Sequence, residues 1–295
     1  MEDIFYHEPV LLEKVKELLL TNKDSTEAKL YVDCTLGGGG YTKIILDETT
    51  AGTKVMCIDK DENAIEYSKK KLGEFESRLF FFRGNFADIK KITGACGSGK
   101  VSGIVMDLGL SSYQIESEEG FSYLRNTALD MRADRQQGLT AAEILNTYNA
   151  EDLFHIIHNY GELRYSRQIS RDIVQHRNTK KFETTFDLVD LLKIKIPPRY
   201  LKGDLSKVFQ ALRIEVNNEL ENLEKALDDS AGILEPGGRV AVVSYHSLED
   251  RIVKNKFRSN KELKVITKRP LEAEDEEIAK NNRARSAKLR TAEKI

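Results

Sequence analysis

The sequence predicts an α/β fold: a parallel sheet with helices on both faces, interrupted by a helical insertion. Three observations carry this. Short apolar runs alternate with helical patterns through the first third of the chain. The stretch from about 119 to 207 holds no convincing strand. A last apolar run, RVAVVSYHS (239–247), returns after it.

The first run, KLYVDCTL (29–36), reads as a buried strand and leads into Gly37, Gly38, Gly39 and Gly40. TKVMCID (53–59) is a second strand, followed by a charged helical pattern. RLFFFRG (78–84) is a third and VSGIVMDLG (101–109) a fourth. Near-continuous apolar strands separated by helices belong to a parallel sheet buried on both sides. In the middle, LTAAEILNTY opens with Thr140 and Glu143 in capping-box spacing. AEDLFHIIHNYG stops at Gly161, and Pro197 and Pro198 mark a later loop. SKVFQALRIEVNNELENLEKAL (206–227) reads as one long amphipathic helix, after which EPGG turns the chain into the fifth strand. The expected division is an α/β domain from 1–118 and 208–295, with a helical insertion at 119–207.

Composition bounds the function. The 295 residues are 40% hydrophobic and 32% charged, with a mean hydropathy of −0.46. That is too polar for a membrane protein and too apolar for a disordered one. No apolar run approaches the ~18 residues of a membrane span. MEDIFYHEPV has neither a basic nor an apolar leader region, so no secretory signal is readable. Cys34, Cys57 and Cys96 form no CxxC pair and no even set, which suits a reducing cytoplasm. Residues 254–295 carry 13 Lys/Arg against 7 Asp/Glu, while the whole chain has a net charge of −2. A basic tail on an acidic body points towards a polyanionic partner.

The glycine-rich turn lies between a first strand and a helix, where backbone can approach a ligand closely. A dinucleotide fingerprint starting at Gly37 needs glycine at position 42, which is Thr42, and no P-loop Lys follows. Asp33 closes the first strand and Asp59 closes the second. An acidic residue at the latter place accepts ribose hydroxyl protons. Together these features suit a nucleoside ligand without phosphate, such as S-adenosylmethionine (SAM). A dinucleotide, or a merely structural turn with a capping aspartate, stays open on the same features. Asp107, in DLGLSS, ends the fourth strand, so three carboxylates are expected along the edge where open α/β sheets bind ligands. His155 and His158 lie three apart on a helix without further ligands, and no metal site is expected.

From end to end the chain resembles the RsmH (MraW) family. The resemblance rests on YHEPVLLEKVKELL, DCTLGGGGYT, CIDKDENAI, GNFADI, DLGLSSYQIESEEGFSYLRNTALDMRAD, VFQALRIEVNNEL, LEPGGRVAVVSYHSLEDRIVK and NNRARSAKLR, in that order. It implies a Rossmann-like SAM-dependent methyltransferase sheet with a helical insertion that helps recognise substrate. It implies N4-methylation of a cytidine in the decoding region of 16S rRNA, with SAM as cofactor and the small ribosomal subunit as partner. A catalytically silent RNA-binding assembly factor is the alternative. The oligomeric state stays open, a homodimer included, and no membrane partner is expected. Carried over residue by residue, SAM-binding positions fall on Gly39, Gly40, Tyr41, Asp59, Phe86, Asp107 and Gln114. Four departures stand out: Tyr41 replaces the family's His, Glu119 replaces an Arg, ALDMRAD replaces PLDMRMD, and NNRARS replaces NPRARS.

The chemistry assigns further candidates. The cytosine amine is a poor nucleophile because its lone pair is delocalised into the ring. Acceptors that hold its N–H groups out of plane localise that pair. Asp107, with Ser111 or Ser112, is expected to do so. Tyr113 is a candidate to stack on the base. His246 and the tail cations Arg283, Arg285, Lys288 and Arg290 are candidates for base or phosphate contacts. Methylation at ring carbon C5 needs a cysteine thiolate, and none of the three cysteines lies beside DLGLSS.

Overall fold

Each apolar run becomes a strand in the computed structural model, which describes residues 9–20, 28–95, 97, 99–109, 119–136 and 138–295. β1 spans Leu30–Asp33, β2 Lys54–Asp59, β3 Leu79–Arg83, β4 Val101–Asp107 and β5 Leu234–Ser244. Two further strands, β6 (Leu263–Val265) and β7 (Lys288–Lys294), come from the basic tail, where no strand was expected. The seven form one sheet in the order β3-β2-β1-β4-β5-β7-β6. β1 to β5 pair in parallel, and β7 runs antiparallel to both its neighbours. This is the expected Rossmann-like sheet, closed on one side by an antiparallel strand.

Twelve helices are described: α1 (Leu12–Leu19), α2 (Gly40–Asp47), α3 (Glu62–Lys71), α4 (Ile89–Ala95), α5 (Ala141–Thr147), α6 (Ala150–Asn159), α7 (Ser166–His176), α8 (Thr185–Lys195), α9 (Pro198–Asn217), α10 (Glu219–Ile233), α11 (Ser247–Ser259) and α12 (Asp275–Lys280). Strand side chains alternate between the two sheet faces. Tyr31, Val55, Cys57, Val105 and Ala241 join Val15 and Leu19 of α1 and Ile45 of α2 in one core. Val32, Met56, Ile58, Ile104 and Val240 join Leu223 and Leu227 of α10 and Phe257 of α11 in another. Because both faces are covered, the strands read as continuous apolar runs.

The chain divides into two compact units, 1–111 with 220–295, and 112–219. The expected boundary at 207/208 therefore moves. The single helix expected over 206–227 is two helices, α9 and α10, parted at Asn218, whose φ of 50° is left-handed. Val208, Phe209, Leu212 and Val216 of α9 pack into the core of the helical unit with Leu145, Leu153, Ile157 and Leu188. That packing assigns α9 to the unit. The capping box of Thr140 and Glu143 is formed, and Thr184 with Asp187 makes a second. The DMRAD turn is pinned by Asn217, which donates to the Met131 carbonyl at 2.8 Å and accepts from the Ala133 N–H at 2.8 Å. No described helix is long and apolar enough to cross a membrane.

Strand β7 changes the reading of the tail. Arg290 is only 6% exposed, and its guanidinium pairs with Asp250 of α11 at 2.6 and 3.1 Å. It is committed inside the sheet, so the expectation that Arg290 meets phosphate does not fit its placement. Removing one partner of a buried ion pair leaves an uncompensated charge and costs roughly 3–5 kcal/mol. Arg290→Ala is therefore expected to lower the urea midpoint strongly, and Arg290→Ala/Asp250→Ala to lose less. Equal stability of the wild type and the single variant would show that the pair does not hold β7.

Candidate functional site

The parallel strands end along one edge, and three of them end in aspartate. Asp33 is fully buried. Its Oδ2 accepts the Thr42 hydroxyl at 2.7 Å, and its Oδ1 accepts the Thr35 N–H at 3.2 Å. Burial nonetheless pushes its carboxyl up to about 6. Thr35 continues the row, because its hydroxyl accepts the Asp107 N–H at 2.7 Å. Asp107 in turn accepts the Tyr245 hydroxyl at 2.6 Å on Oδ1. Burial raises it to about 6 as well, against the opposing pull of the Arg283 charge and the tyrosine hydrogen bond. Arg283 lies over the Tyr245 ring, 5.0 Å from its centroid. A strand end, a tyrosine and a tail arginine thus form one cluster around Asp107.

Asp59 ends β2 and works on backbone. Its Oδ2 accepts the Gly37 N–H and its Oδ1 the Asp61 N–H, both at 2.9 Å. Burial raises its pKa too. The Lys60 backbone N–H also acts on this carboxylate, which as a whole has about four acceptor sites. The glycine turn above it is held from α3: Ser68 donates to the Gly37 carbonyl at 2.8 Å and Lys71 to the Gly38 carbonyl at 2.9 Å. Gly39 has a φ of 72° and caps α2, so a side chain there is strained. A Cβ on Gly40 would come within 2.6 Å of Pro9. Both glycines are thus required by the fold itself.

The Tyr41 side chain is 3% exposed and donates its hydroxyl to the Val10 carbonyl. The ring lies in the core within electrostatic reach of Asp107, Tyr245, Asp33 and Arg283. Phe86 is half-buried and opens a short 3-10 turn capped by Asn85, whose Oδ1 accepts the Ala87 N–H at 3.0 Å. His246 caps α11: its Nδ1 accepts the Glu249 N–H at 3.4 Å, and its Nε2 lies 3.2 Å from Glu249 Oε1. The helix thus engages Nδ1, while Nε2 is buried without a hydrogen-bond partner among the described residues. Arg285 is exposed and Lys288 half-buried at the start of β7. Ser111, Ser112, Tyr113, Gln114 and Cys96 lie outside the described residues. Glu119 lies within ion-pair distance of Arg135, 3.5 Å away.

Tyr245 and Thr35 are the members that sequence reasoning missed. Tyr245 stands beside His246 at the end of the fifth strand, and the strand-end rule that selected His246 applies equally to it. Thr35 gave no signal, because a hydroxyl reaching across to the next strand end is invisible in one dimension.

The donor set is selective. Carboxylates repel phosphate, so the row disfavours a pyrophosphate. It favours a neutral nucleoside carrying a cationic tail.

The profile of the MraW methylase family matches residues 4–295. A ribosomal RNA small subunit methyltransferase H from Fusobacterium nucleatum is 43% identical, over 98% of this chain and 97% of its own length. Proteins of the same name from Finegoldia magna and Carboxydothermus hydrogenoformans are 41% and 42% identical, each over 99% of this chain and over 99% and 98% of their own lengths.

The raised carboxyls make stability depend on pH. Asp33 and Asp107 titrate near 6 when folded, against an ordinary value of 3.8. Between those values the folded chain binds more protons than the unfolded chain. This contribution to stability is complete below about pH 4 and is lost as pH rises through about 6. The urea midpoint of Asp107→Asn, relative to wild type, is expected to rise over that interval. A constant difference from pH 4 to 7 would contradict the raised carboxyl.

Proposed function

The chain belongs to the MraW methylase family, and on that premise we propose that it methylates small-subunit ribosomal RNA with SAM as donor, at the N4 amine of a cytidine in the decoding region. The observation that carries this reading is the row of strand-end carboxylates with raised pKa, Asp33, Asp59 and Asp107, on a chain similar over its full length to rRNA methyltransferases. SAM, when bound, supplies an activated methyl on a sulfonium.

The residues divide the work. Asp59 receives the ribose hydroxyls on the acceptor capacity that its backbone donors leave open. Phe86 and the backbone of Gly39, Gly40 and Tyr41 flank the nucleoside, with Gln114 as a further contact. Asp107 keeps Oδ2 for the target amine, since Tyr245 occupies Oδ1. Holding the amine hydrogens out of the ring plane localises its lone pair, with Ser111 or Ser112 as the second acceptor. A carboxyl near 6 is also well matched to take up the proton that a methylated amine sheds near neutral pH. Positioning of this kind lowers barriers by roughly 7–11 kcal/mol in well-oriented reactions. Tyr113 stacks on the base, and Arg283, Arg285 and Lys288 supply positive charge for the RNA.

The decisive experiment incubates the protein with labelled SAM and unmodified small subunits, then maps the labelled nucleoside. N4-methylcytidine is the expected product; an unlabelled rRNA would favour the silent assembly factor. Asp59→Ala is expected to weaken SAM binding 10- to 100-fold, from the loss of roughly 1.5–3 kcal/mol of hydrogen bonds to a charged group. Unchanged affinity in calorimetry would remove Asp59 from the site. Cys34 and Cys57 are buried, and burial raises both thiols, so neither is a ready nucleophile. Replacing all three cysteines with alanine is expected to keep turnover within about tenfold, stability losses of roughly 1–3 kcal/mol aside. An adduct trapped with a fluorinated cytosine would contradict attack by the amine.

A further inference from the structure

The helical unit carries an exposed aromatic and basic surface that the transfer chemistry does not use. Tyr165 is 37% exposed and Tyr200 48%, and among the described residues no other tyrosine is so open. The two are near enough to interact electrostatically. Arg199 lays its guanidinium on the Tyr200 ring, 4.6 Å from the centroid. Tyr165 donates its hydroxyl to the buried Asp204 carboxylate at 2.7 Å, which fixes the ring while leaving it open to solvent. Arg164, Arg199 and Lys202 are exposed around the pair. Tyr200 lies in the first turn of α9, a 20-residue helix with no side-chain cap on its first N–H groups. The positive end of that helix adds to the local positive field.

We propose that this surface is a stacking platform for unpaired RNA bases. The inference rests on the reading that the substrate is RNA. Aromatic rings accept bases of any sequence on their faces, while guanidinium and ammonium groups take the phosphates between them. An acidic peptide would match the charge but would leave both rings without a flat partner.

The test uses the full chain and a labelled, unstructured RNA oligonucleotide. Arg199→Ala/Tyr200→Ala is expected to weaken binding roughly tenfold or more. It should also flatten the salt dependence by about 0.7 per lost phosphate contact. Tyr200→Phe should bind like wild type, since stacking needs the ring and not the hydroxyl. SAM affinity should be unchanged in both, which also reports an intact fold. Wild-type affinity and salt slope in the double variant would overturn the proposal, as would a wild-type chain that does not bind the oligonucleotide. A defect confined to assembled subunits, with naked RNA bound normally, would also overturn it by assigning the surface to a protein partner. Binding is read apart from methyl transfer. A platform that binds RNA in a chain transferring no methyl to rRNA would therefore leave the inference standing and sink the catalytic reading.

Discussion

Three carboxylates gathered at one edge of a parallel sheet, Asp33 buried and Asp59 and Asp107 half-buried, are the constraint on which the surrounding structure depends. Burying an ionised carboxyl is costly unless its lone pairs find donors. Each aspartate has found some. Asp33 takes a threonine hydroxyl and a backbone N–H, Asp59 takes two backbone N–H groups, and Asp107 takes the Tyr245 hydroxyl. These donors do not fully offset burial, since all three carboxyls stay raised. The edge therefore holds unspent affinity for donors and for positive charge. A nucleoside with hydroxyls and a cationic tail meets both demands.

Much of this edge was legible in one dimension. The strands were readable because a sheet buried on both faces erases the polar alternation that would otherwise confuse them with surface. Aspartate at the end of such a run has few places to go except the ligand edge. The tail was not legible for the opposite reason. LRT in KLRTAEK is buried, yet the segment carries a lysine or arginine at positions 288, 290 and 294. Arg290 is offset by Asp250, Lys294 by Glu262 and the strand's own Glu293 by Arg239, partners whose proximity only the fold creates. The long helix expected over 206–227 failed at Asn218, because its apolar positions continue in register while the backbone turns left-handed for one residue. Periodicity reports which face is apolar; it does not report that two helices share it.

The helical unit is built by local means. Two capping boxes start its helices, Asn217 ties the end of α9 to the DMRAD turn, and a continuous apolar core joins α5 to α9. Arg132 folds back on Asp130, with contacts of 2.7 and 2.8 Å, so that turn is closed by its own residues. Such a unit can carry a recognition surface without borrowing support, which frees its outer positions from the demands of stability.

The position of β7 imposes an order in time. It sits between β5 and β6 but follows both in the chain. While the polypeptide is being made, β5 must wait with one row of backbone N–H and C=O groups unmatched, and β6 has no neighbour to join. An open strand edge of that kind is a template for pairing with other chains. The buried Arg290–Asp250 pair then does more than fasten a strand: it favours the right occupant for a slot that stays open until β7 emerges. Assembly of the carboxylate edge inherits the same delay, since Arg283 reaches Tyr245 from the segment just ahead of that strand.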